Sequence, residues 1–582
     1  MIKVIFQNKE LLVEDGTRAI DLIDDSLKTN YLICEINDLV KELDRPLINN
    51  AKVELFGLEH LEGGKAYETT LRYIVAMAFH NLYPELTIRF SYNVSRSIFC
   101  EIQGLNHHIS QITENISKEV DRIISANLPI KRITTSVAEA KEIYKAYNHE
   151  DKTAILRFRP EQIVHLYKCD NYYNYLHNYM APSTGCIKSY KIKPYGHGII
   201  LQYPRHELDG EIPHFVEEAT YGKTLMKAYQ WGMKTKTQTI VDVNEKIETM
   251  PRDFVQMCEA RHNKQLATLG DNIENDIANI RLICIAGPSS SGKTTFCNRL
   301  RVELLSRGIK PVMISMDDYY FTKPEISKIQ GKPIGELDLE HINTLDIELF
   351  NQNLFDLING EEVAMPRYNF KTGKREQGEV LKVDSNSPII IEGIHALNEK
   401  LTSSIPKYQK YKIFIAPQIE MNIDNHTPVS ATDMRLIRRI VRDKESRNCP
   451  AAETINMWKS VRSGEFRWIY PHQEGADFVY NSSLSYELSV FRTIALPALK
   501  EIKITDPEYL VANRLIKYLK YFRPLEDLSV IPCNSLIREF IGGSCYKIWN
   551  KAYSALFFIL IKDIIPVTIK YTETKIVPIK SK

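Results

Sequence analysis

Residues 281–304 read RLICIAGPSSSGKTTFCNRLRVEL, and this stretch decides the fold of the region around it. Its first part, residues 282–286, is a short apolar run of the kind that fills a central strand of a parallel sheet. Residues 287–294, called here the phosphate loop, match the pattern GxxxxGKS/T, and residues 296–304 have helical spacing. A strand, such a loop and a helix in this order predict a phosphate-binding site in an α/β sheet.

The composition of the phosphate loop suits a phosphate group for physical reasons. Glycines let backbone N–H groups turn inward, and the helix N-terminus adds a partial positive charge. Lys293 is expected to reach the β- and γ-phosphates, while Thr294 supplies a hydroxyl to Mg²⁺, so ATP and Mg²⁺ are the expected cofactors. A chance Gly- and Ser-rich turn is the alternative. The predicted nucleotide-binding residues here are Gly287, Ser289, Ser290, Ser291, Gly292, Lys293, Thr294 and Thr295.

Two acidic residues follow the next predicted strand, residues 311–315 (PVMIS). The carboxyl ends of parallel strands lie beside the ligand site of an open α/β sheet. Asp317 is therefore placed to accept a proton from an acceptor hydroxyl, as phosphoryl transfer to an alcohol requires. We predict Asp317 and Lys293 as the catalytic residues. Helix capping is the alternative for Asp317 and the preferred interpretation of Asp318.

A third predicted strand, residues 388–394 (PIIIEGI), carries Glu392 and Gly393 after its apolar run. Together with the SMDDYY sequence at 315–320, this order of motifs resembles the uridine kinase and phosphoribulokinase family. The resemblance implies a P-loop NTPase fold, a parallel sheet with helices on both faces. It also implies that Asp317 is the catalytic base, that Glu392 holds Mg²⁺ directly or through water, and that Tyr319 contacts the substrate.

Arginines are clustered in residues 433–447 (DMRLIRRIVRDKESR). Helical spacing places at least two of them on one face, and guanidinium groups suit phosphate oxygens. The family has a comparable lid helix. The resemblance implies that Arg439 faces the acceptor nucleoside, while Arg442 and Arg447 face ATP. A basic surface helix is the alternative interpretation.

The acceptor side carries fewer family features. Residues 366–370 (PRYNF) resemble a uridine kinase segment whose Tyr lies against the nucleoside, a role that the resemblance implies for Tyr368. Asp338 is the predicted ribose-binding acid. Gly373 stands where uridine-cytidine kinases place a His on the base, and Cys449 lies where a second lid Arg is expected. Both departures concern recognition of the acceptor more than transfer of the phosphate.

Three functions are therefore compared. The first is an ATP-dependent kinase that transfers the γ-phosphoryl group to the 5′-hydroxyl of uridine or a related nucleoside. The second keeps this chemistry with a sugar phosphate or another small alcohol as acceptor. The third is an RNA-associated regulatory NTPase in which nucleotide binding is a switch. The kinases need Asp317, and a pure switch does not.

The front of the chain resembles two modules of threonyl-tRNA synthetases. Residues 1–61 resemble the TGS domain, a β-grasp fold, with alternating apolar residues from Ile2, a hairpin, and a helix over residues 17–23 that Thr17 caps. Gly63-Gly64 predicts a break. Residues 65–245 resemble the second additional domain, a mixed α+β module, through residues 181–185 (APSTG).

The synthetase module carries a metal and editing site whose ligands are absent here. Its four positions correspond to Thr69, Tyr73, Leu176 and Met180, none of which can do that chemistry. We expect a scaffold without editing activity, although RNA binding by the front modules stays a hypothesis. Other residues that could bind a metal are His177, Cys169 and Cys186, and ordinary packing is the alternative interpretation for them.

The remaining expectations come from length and composition. The chain has 582 residues, enough for three or four domains at about 100–200 residues each. We assign 246–280 to a polar helical connector, 281–505 to the P-loop domain and 506–582 to a C-terminal helical segment and tail. Stretches at 458–465 and 470–477 resemble the subgroup that fuses this kinase to such front modules.

The charge and cysteine pattern exclude several classes of function. A net charge of +2 gives no global basic field, and ten scattered cysteines without CxxC spacing argue against a zinc ribbon. The apolar run 552–561 is shorter than the about 20 residues that span a bilayer. We expect a cytoplasmic protein without membrane contact that forms a homo-oligomer and acts on a small-molecule nucleoside.

Overall fold

The computed structural model describes residues 1–104, 108–369, 372–384, 386–419 and 421–546. The predicted tail after Tyr546, its apolar run 552–561 and Phe370 of the predicted acceptor segment lie outside the described residues. Within the described parts, no helix combines the length and apolarity needed to cross a bilayer.

Residues 2–56 form a mixed five-stranded sheet with the strand order β2-β1-β5-β3-β4. The strands are β1 (Ile2–Phe6), β2 (Lys9–Val13), β3 (Ile33–Ile36), β4 (Leu39–Lys41) and β5 (Ala51–Phe56). β1 pairs antiparallel with β2, as the predicted hairpin requires, and parallel with β5. One face of the sheet covers a small core that includes Val4, Cys34 and Val53.

The predicted helix over residues 17–23 is wrong, because the structure has only a single 3-10 turn, Ala19–Leu22. The Thr17 hydroxyl does not cap it and instead donates to the Glu14 carbonyl at 2.8 Å. The backbone N–H of Ile20 donates to the Leu43 carbonyl at 2.9 Å. This pairing with a neighbouring segment takes a donor that a longer helix would need.

The second region, residues 61–249, contains a four-stranded sheet of order β11-β12-β7-β6, a three-stranded sheet of order β10-β9-β8, and the helices around them. Its elements are α1 (Leu61–Leu82), β6 (Thr87–Val94), β7 (Ser97–Gln103), α2 (Ile109–Ser125), β8 (Lys131–Ser136), α3 (Val137–Ala146), α4 (Glu150–Ile155), β9 (Ile163–Cys169), β10 (Tyr172–Asn174), β11 (Lys191–Tyr195), β12 (Gly198–Gln202), α5 (Ala219–Thr235) and α6 (Ile240–Thr249).

Helix α1 runs through Gly63 and Gly64, so the predicted break is wrong. A Cβ on Gly63 would lie 1.7 Å from the carbonyl oxygen of Gly57, so this glycine permits close packing between the helix and the preceding segment. The four positions of the synthetase editing site are buried: Thr69, Tyr73, Leu176 and Met180. Among the described residues, no group of three or more His, Cys, Asp or Glu side chains could hold a metal.

The predicted connector contains α7 (Pro251–Asn275), which packs on the next region. Its Phe254, Leu266 and Ile273 share one core with Ile283 and Ile285 of the strand that precedes the phosphate loop. The connector is therefore polar on one side only, and its apolar side covers the sheet described next.

The third region has a parallel five-stranded sheet of order β14-β17-β13-β18-β21. Its elements are β13 (Leu282–Ala286), α8 (Lys293–Ser306), β14 (Val312–Ser315), α9 (Lys323–Gln330), α10 (Ile347–Ile358), β15 (Val363–Asn369), β16 (Lys374–Leu381), β17 (Ile389–Glu392), β18 (Lys410–Ala416), β19 (Asn422–Asp424), β20 (Thr427–Pro428), α11 (Ala431–Arg447), α12 (Ala451–Trp468), β21 (Phe478–Asn481) and α13 (Glu487–Lys500).

Both faces of this sheet are buried. Ile283 and Ile285 point into a core shared with α7, α8 and α11, while Leu282 and Cys284 point into a second core shared with α10. A strand buried on both sides explains the continuous apolar run in the sequence. The predicted α/β fold with a parallel sheet is confirmed for this region.

The hairpin β19–β20 fastens the third region to the second. The Asn422 side chain donates to the Phe90 carbonyl at 2.7 Å, and Lys152 pairs with Asp424 at 3.0 Å. Both members of this ion pair are only 1% exposed. The chain then ends its described part with α14 (Tyr509–Leu519) and α15 (Arg538–Ile541), which pack on the third region.

Candidate active site

The phosphate loop is held in a conformation that only certain residues adopt. Ser290 and Gly292 have positive φ angles of 61° and 88°. A Cβ on Gly287 would lie 2.0 Å from the carbonyl oxygen of Ile415 in β18, so only glycine fits there. The backbone thus turns sharply in the second half of the loop, before α8 begins at Lys293.

Several hydroxyl groups of this loop and of the first turn of α8 have no partner. Among the described residues, the buried Oγ atoms of Ser290 and Ser291 and Oγ1 of Thr295 make no hydrogen bond. Buried polar atoms are normally paired, so unpaired ones around a helix N-terminus suit an anionic ligand. The loop residues therefore fit the phosphate groups of a nucleotide.

Lys293 is folded back over the phosphate loop. Its Nζ donates to the carbonyl oxygens of Gly287 at 2.9 Å and Pro288 at 3.4 Å. The ammonium group therefore lies at the loop, within reach of a bound phosphate after a change of rotamer.

Two carboxylates lie beside the phosphate loop, at the carboxyl ends of two strands that pair with each other, β14 and β17. Asp317 follows β14, and Glu392 ends β17. Burial raises the pKa of Glu392 to about 7, and the charge of Asp317 adds to this rise. Burial also raises the pKa of Asp317, while the positive charge of Lys293 opposes the rise. The sheet therefore brings these three predicted residues together.

The residues at this edge fit a Mg²⁺ ion. The Thr294 hydroxyl donates to a Glu392 carboxylate oxygen at 3.5 Å, so both predicted ligands face the same point. Hydroxyl and carboxylate oxygens are ligands that Mg²⁺ accepts. A nearby cation would also favour the ionised form of Glu392, which burial disfavours.

Helix α11, called here the arginine helix, is pressed against the outside of the phosphate loop. Arg435 donates to the Ser289 carbonyl at 3.1 Å and pairs with buried Glu465. Arg438 donates to the carbonyls of Ser290 and Ser291 at 3.2 and 3.4 Å. Both arginines are buried, so the alternative of a basic surface helix is wrong for them. They support the loop from behind.

The three arginines predicted to face ligands are gathered around one buried acid, Asp443. Arg442 donates to Asp443 Oδ1 at 2.9 and 3.0 Å, and Arg439 and Arg447 lie 3.4 Å from its carboxylate. Arg439 also donates to the Ser289 hydroxyl at 3.0 Å. Burial raises the pKa of Asp317, and the positive charge of Arg447 opposes this rise.

On the acceptor side, Asp318 positions the β15–β16 hairpin. Its Oδ1 accepts a hydrogen bond of 3.0 Å from the backbone N–H of Tyr368. The ring of Tyr368 lies edge-on to that of Tyr320, with centroids 6.0 Å apart. A Cβ on Gly373 would lie 3.8 Å from the Tyr368 hydroxyl, so the space beside this ring is open where a His was expected.

The structure does not place Tyr319 in the site, which corrects its predicted role. Its side chain is 1% exposed, its hydroxyl accepts from Asn353 at 3.0 Å, and its ring packs on Phe350. The neighbouring Tyr320 instead contacts the Tyr368 ring, and burial together with the charges of Asp317 and Glu340 raises its pKa. After a strand ends in a 3-10 turn, the period of two no longer tells which residue points outward.

Asp338 lies at the edge of the site rather than in it. Its backbone pairs with the Gln330 side chain, and its carboxylate is 3.9 Å from Arg467. Glu340, two residues later, is the acid whose pKa is affected by charged residues of the site. Burial raises its pKa, and the charges of Arg439 and Lys293 oppose that rise. Sequence reasoning missed Glu340, although the acid-rich run 336–340 (ELDLE) was the signal.

Comparisons with known proteins identify a family and several relatives. The model of the phosphoribulokinase/uridine kinase family matches residues 282–487. A uridine kinase from Borrelia duttonii (strain Ly) is 30% identical over 225 residues, covering 36% of this chain and 94% of that protein. A solved structure of a possible uridine kinase from Bacillus stearothermophilus matches with 18% identity and a TM-score of 0.25, covering 38% of this chain and 98% of that chain.

A different kind of relative is also found. A threonine–tRNA ligase from Clostridium kluyveri is 27% identical over 197 residues, covering 33% of this chain and 31% of that protein. The kinase relative, by contrast, is covered almost in full. The similarity to the uridine kinase, together with the phosphate loop and the two carboxylates beside it, means that the chain is a kinase and belongs to the phosphoribulokinase/uridine kinase family.

Proposed function

We propose that this protein is an ATP-dependent nucleoside kinase that transfers the γ-phosphoryl group of ATP to the 5′-hydroxyl of uridine or a related nucleoside. The observation that carries the proposal is the meeting of Lys293, Asp317 and Glu392 at one edge of the parallel sheet, where Glu392 contacts Thr294 of the phosphate loop and the charges of Asp317 and Lys293 act on the pKa of Glu392. Phosphoryl transfer needs these three roles: a cation for the phosphates, a base for the acceptor, and a carboxylate for the metal.

The donor side binds the nucleotide. The unpaired hydroxyls of Ser290, Ser291 and Thr295 and the N-terminus of α8 are donors for phosphate oxygens. Lys293 leaves the carbonyls of Gly287 and Pro288 and pairs with the phosphates instead.

Asp317 takes the proton. Its raised pKa, caused by burial, makes it a better proton acceptor than an exposed Asp. The positive charges of Lys293 and Arg447 oppose this rise and favour the ionised carboxylate. In this mechanism the acceptor hydroxyl donates its proton to Asp317 as the oxygen attacks the γ-phosphorus. The bond from the γ-phosphorus to the bridging oxygen breaks, and ADP leaves with that oxygen.

Mg²⁺ would be held by the Thr294 hydroxyl and the Glu392 carboxylate. When bound, the ion supplies positive charge that offsets the charge of the transferring phosphate oxygens. Arg439, Arg442 and Arg447 add further positive charge beside the loop.

On the acceptor side, Tyr368 and Tyr320 would contact the nucleoside, and Glu340 would accept a hydrogen bond from the ribose. This assignment is supported by the edge-on contact of the two rings and by the coupling of Glu340 to Arg439 and Lys293. Glu340 thus takes the role that the sequence suggested for Asp338.

We also propose that the two front modules are a TGS-type domain and a synthetase-like second domain. The strand order β2-β1-β5-β3-β4, with β1 and β5 parallel, supports a β-grasp module of the TGS type. The threonine–tRNA ligase similarity supports a synthetase-like second module. Buried residues at the four editing positions support a scaffold role for it.

The test is a panel of acceptors with ATP and Mg²⁺, followed as ADP release. The panel contains the four ribonucleosides, ribulose 5-phosphate and a blank without acceptor. The proposal expects release above the blank with uridine or another nucleoside. Release only with ribulose 5-phosphate would move the protein to the second acceptor class, and release equal to the blank would make it an ATPase. When the same assay is applied to Asp317→Asn, the matched control is Asp384→Asn, which removes the charge of an exposed acid.

A further inference from the structure

The last described segment, residues 528–546, is called here the C-terminal cap. It contains a 3-10 turn, Leu528–Val530, and the short helix α15. Its apolar side chains, Leu536, Ile537 and Phe540, are buried in the core shared with the sheet and the arginine helix. The Arg538 guanidinium donates to the carbonyls of Leu528 and Ile531 at 2.8 and 2.7 Å and fixes the turn. The cap is therefore a packed element of the kinase region.

The cap lies directly on the phosphate loop. A Cβ on Gly292 would be 2.3 Å from Cδ2 of Leu536, so the leucine fills the space beside this glycine. Leu536 itself is fully buried. The arginine helix holds the same element, because the Arg438 guanidinium lies over the Phe540 ring at 5.2 Å. Loop, arginine helix and cap are thus in mutual contact.

Glu539 of the cap accepts a hydrogen bond of 3.0 Å from the backbone N–H of Thr295. Helix α8 begins at Lys293, and its first intrahelical bond runs from the Phe296 N–H to the Gly292 carbonyl. The Thr295 N–H is therefore one of the donors that a helix leaves free at its N-terminus. In a phosphate-binding loop these free donors are the ones that take phosphate oxygens.

A carboxylate and a phosphate cannot both occupy this position. Both are acceptors for the same N–H, and two negative charges a few ångströms apart repel each other strongly in a partly buried site. Glu539 is only half-buried, so its carboxylate can move into solvent. Leu536 is buried and is expected to stay in place.

We propose that the C-terminal cap is an intramolecular competitor of the donor nucleotide. Glu539 holds the Thr295 N–H in the nucleotide-free protein, and a nucleotide binds only when Glu539 withdraws. The inference rests on the proposed function in one respect, namely that the phosphate loop binds the donor nucleotide. It adds a residue, 244 positions from Thr295 in the sequence, that sets the affinity of the donor site.

The test is the dissociation constant of ADP with Mg²⁺, measured by calorimetry without any acceptor. Glu539→Gln keeps the shape and removes the charge, and Glu539→Ala removes both. The matched control is Glu526→Gln, an exposed acid just before the cap. Competition predicts that both Glu539 variants bind ADP roughly 3- to 10-fold more tightly than the wild type, while Glu526→Gln is unchanged.

Equal ADP affinity in the wild type and the Glu539 variants would overturn the proposal. Weaker binding by the variants would overturn it too, since Glu539 would then belong to the nucleotide site as a supporting residue. A nucleoside takes no part in this measurement. If the variants bind ADP more tightly but no nucleoside is phosphorylated, the cap proposal stands and the proposed acceptor chemistry fails.

Discussion

Arg438 and Glu487 form an ion pair of 2.7 Å in which the side chains are 0% and 1% exposed. The same guanidinium donates to the carbonyls of Ser290, Ser291 and Ser482. Since every donor direction faces the protein, Arg438 connects the arginine helix and the phosphate loop to the start of α13. Arg438, one of the clustered arginines of residues 433–447, therefore supports the phosphate loop on the side away from the ligand site.

Replacing Arg438 should affect both stability and nucleotide binding. Arg438→Met leaves Glu487 buried without an ion-pair partner, which costs about 3–5 kcal/mol in the free energy of unfolding. In the double variant Arg438→Met/Glu487→Leu we expect much of this stability to return, while ADP affinity stays low because the loop carbonyls lose their donor. Urea denaturation and ADP calorimetry measure the two effects. A single variant as stable as the wild type would show that the pair is dispensable.

Asp318 should affect the acceptor and spare the donor. Asp318→Ala removes the acceptor for the Tyr368 N–H and loosens the β15–β16 hairpin. We expect KM for the nucleoside to rise roughly 3- to 10-fold, because the ring of Tyr368 is no longer held in place. KM for ATP should stay within error. An equal rise of both KM values would mean that Asp318 acts on the whole site.

Glu340 and Asp338 can be separated by a pair of matched substitutions. Glu340→Gln should raise KM for the nucleoside or lower kcat about tenfold, since this acid is coupled to Arg439 and Lys293. Asp338→Asn should change either value by less than about twofold, as its carboxylate is 3.9 Å from an exposed Arg467. The opposite order of effects would return the ribose role to Asp338.

Acid should destabilise the junction at the β19–β20 hairpin. Burial lowers the pKa of His149 and of His177 to about 3, and lowers that of His426 as well, around the Lys152–Asp424 pair. The folded form stays neutral while the unfolded chain takes up protons below pH 6.5. Stability is therefore present above pH 6.5 and is lost as pH falls towards 3, by up to about 1.4 kcal/mol per unit for each His.

The check is the thermal midpoint at pH 7.5, 6.5 and 5.5. We expect a clear drop between 6.5 and 5.5 that becomes smaller in His177→Gln. His214→Gln, at an exposed histidine, should follow the wild type. A midpoint that does not change between pH 6.5 and 5.5 would contradict the burial of neutral histidines.

The donor side was predictable because it is local in sequence. The strand 282–286, the phosphate loop and the start of α8 are contiguous, and Asp317 and Glu392 each follow an apolar run whose parallel pairing puts them at one edge. Such motifs specify their own geometry. The structure contains the predicted strands and helix with bounds that differ by at most three residues.

What could not be predicted depends on contacts between distant segments. The burial of Arg435 and Arg438 needs Glu465 and Glu487, and the contact of Glu539 with the phosphate-loop helix joins residues far apart in the chain. The break at Gly63 was wrong for the same reason, because its packing on Gly57 is a tertiary contact. Local sequence gives the residue type, and the fold decides its partner.

The most direct test of the kinase mechanism is phosphoryl transfer by Asp317→Asn, measured as nucleoside monophosphate by mass spectrometry with ATP affinity determined on the same sample. Asp317 is the base in this account, and its carboxylate does not hold the nucleotide. We predict a loss of at least about 100-fold in transfer, with ATP affinity within about twofold of the wild type. Unchanged transfer in Asp317→Asn would contradict the mechanism.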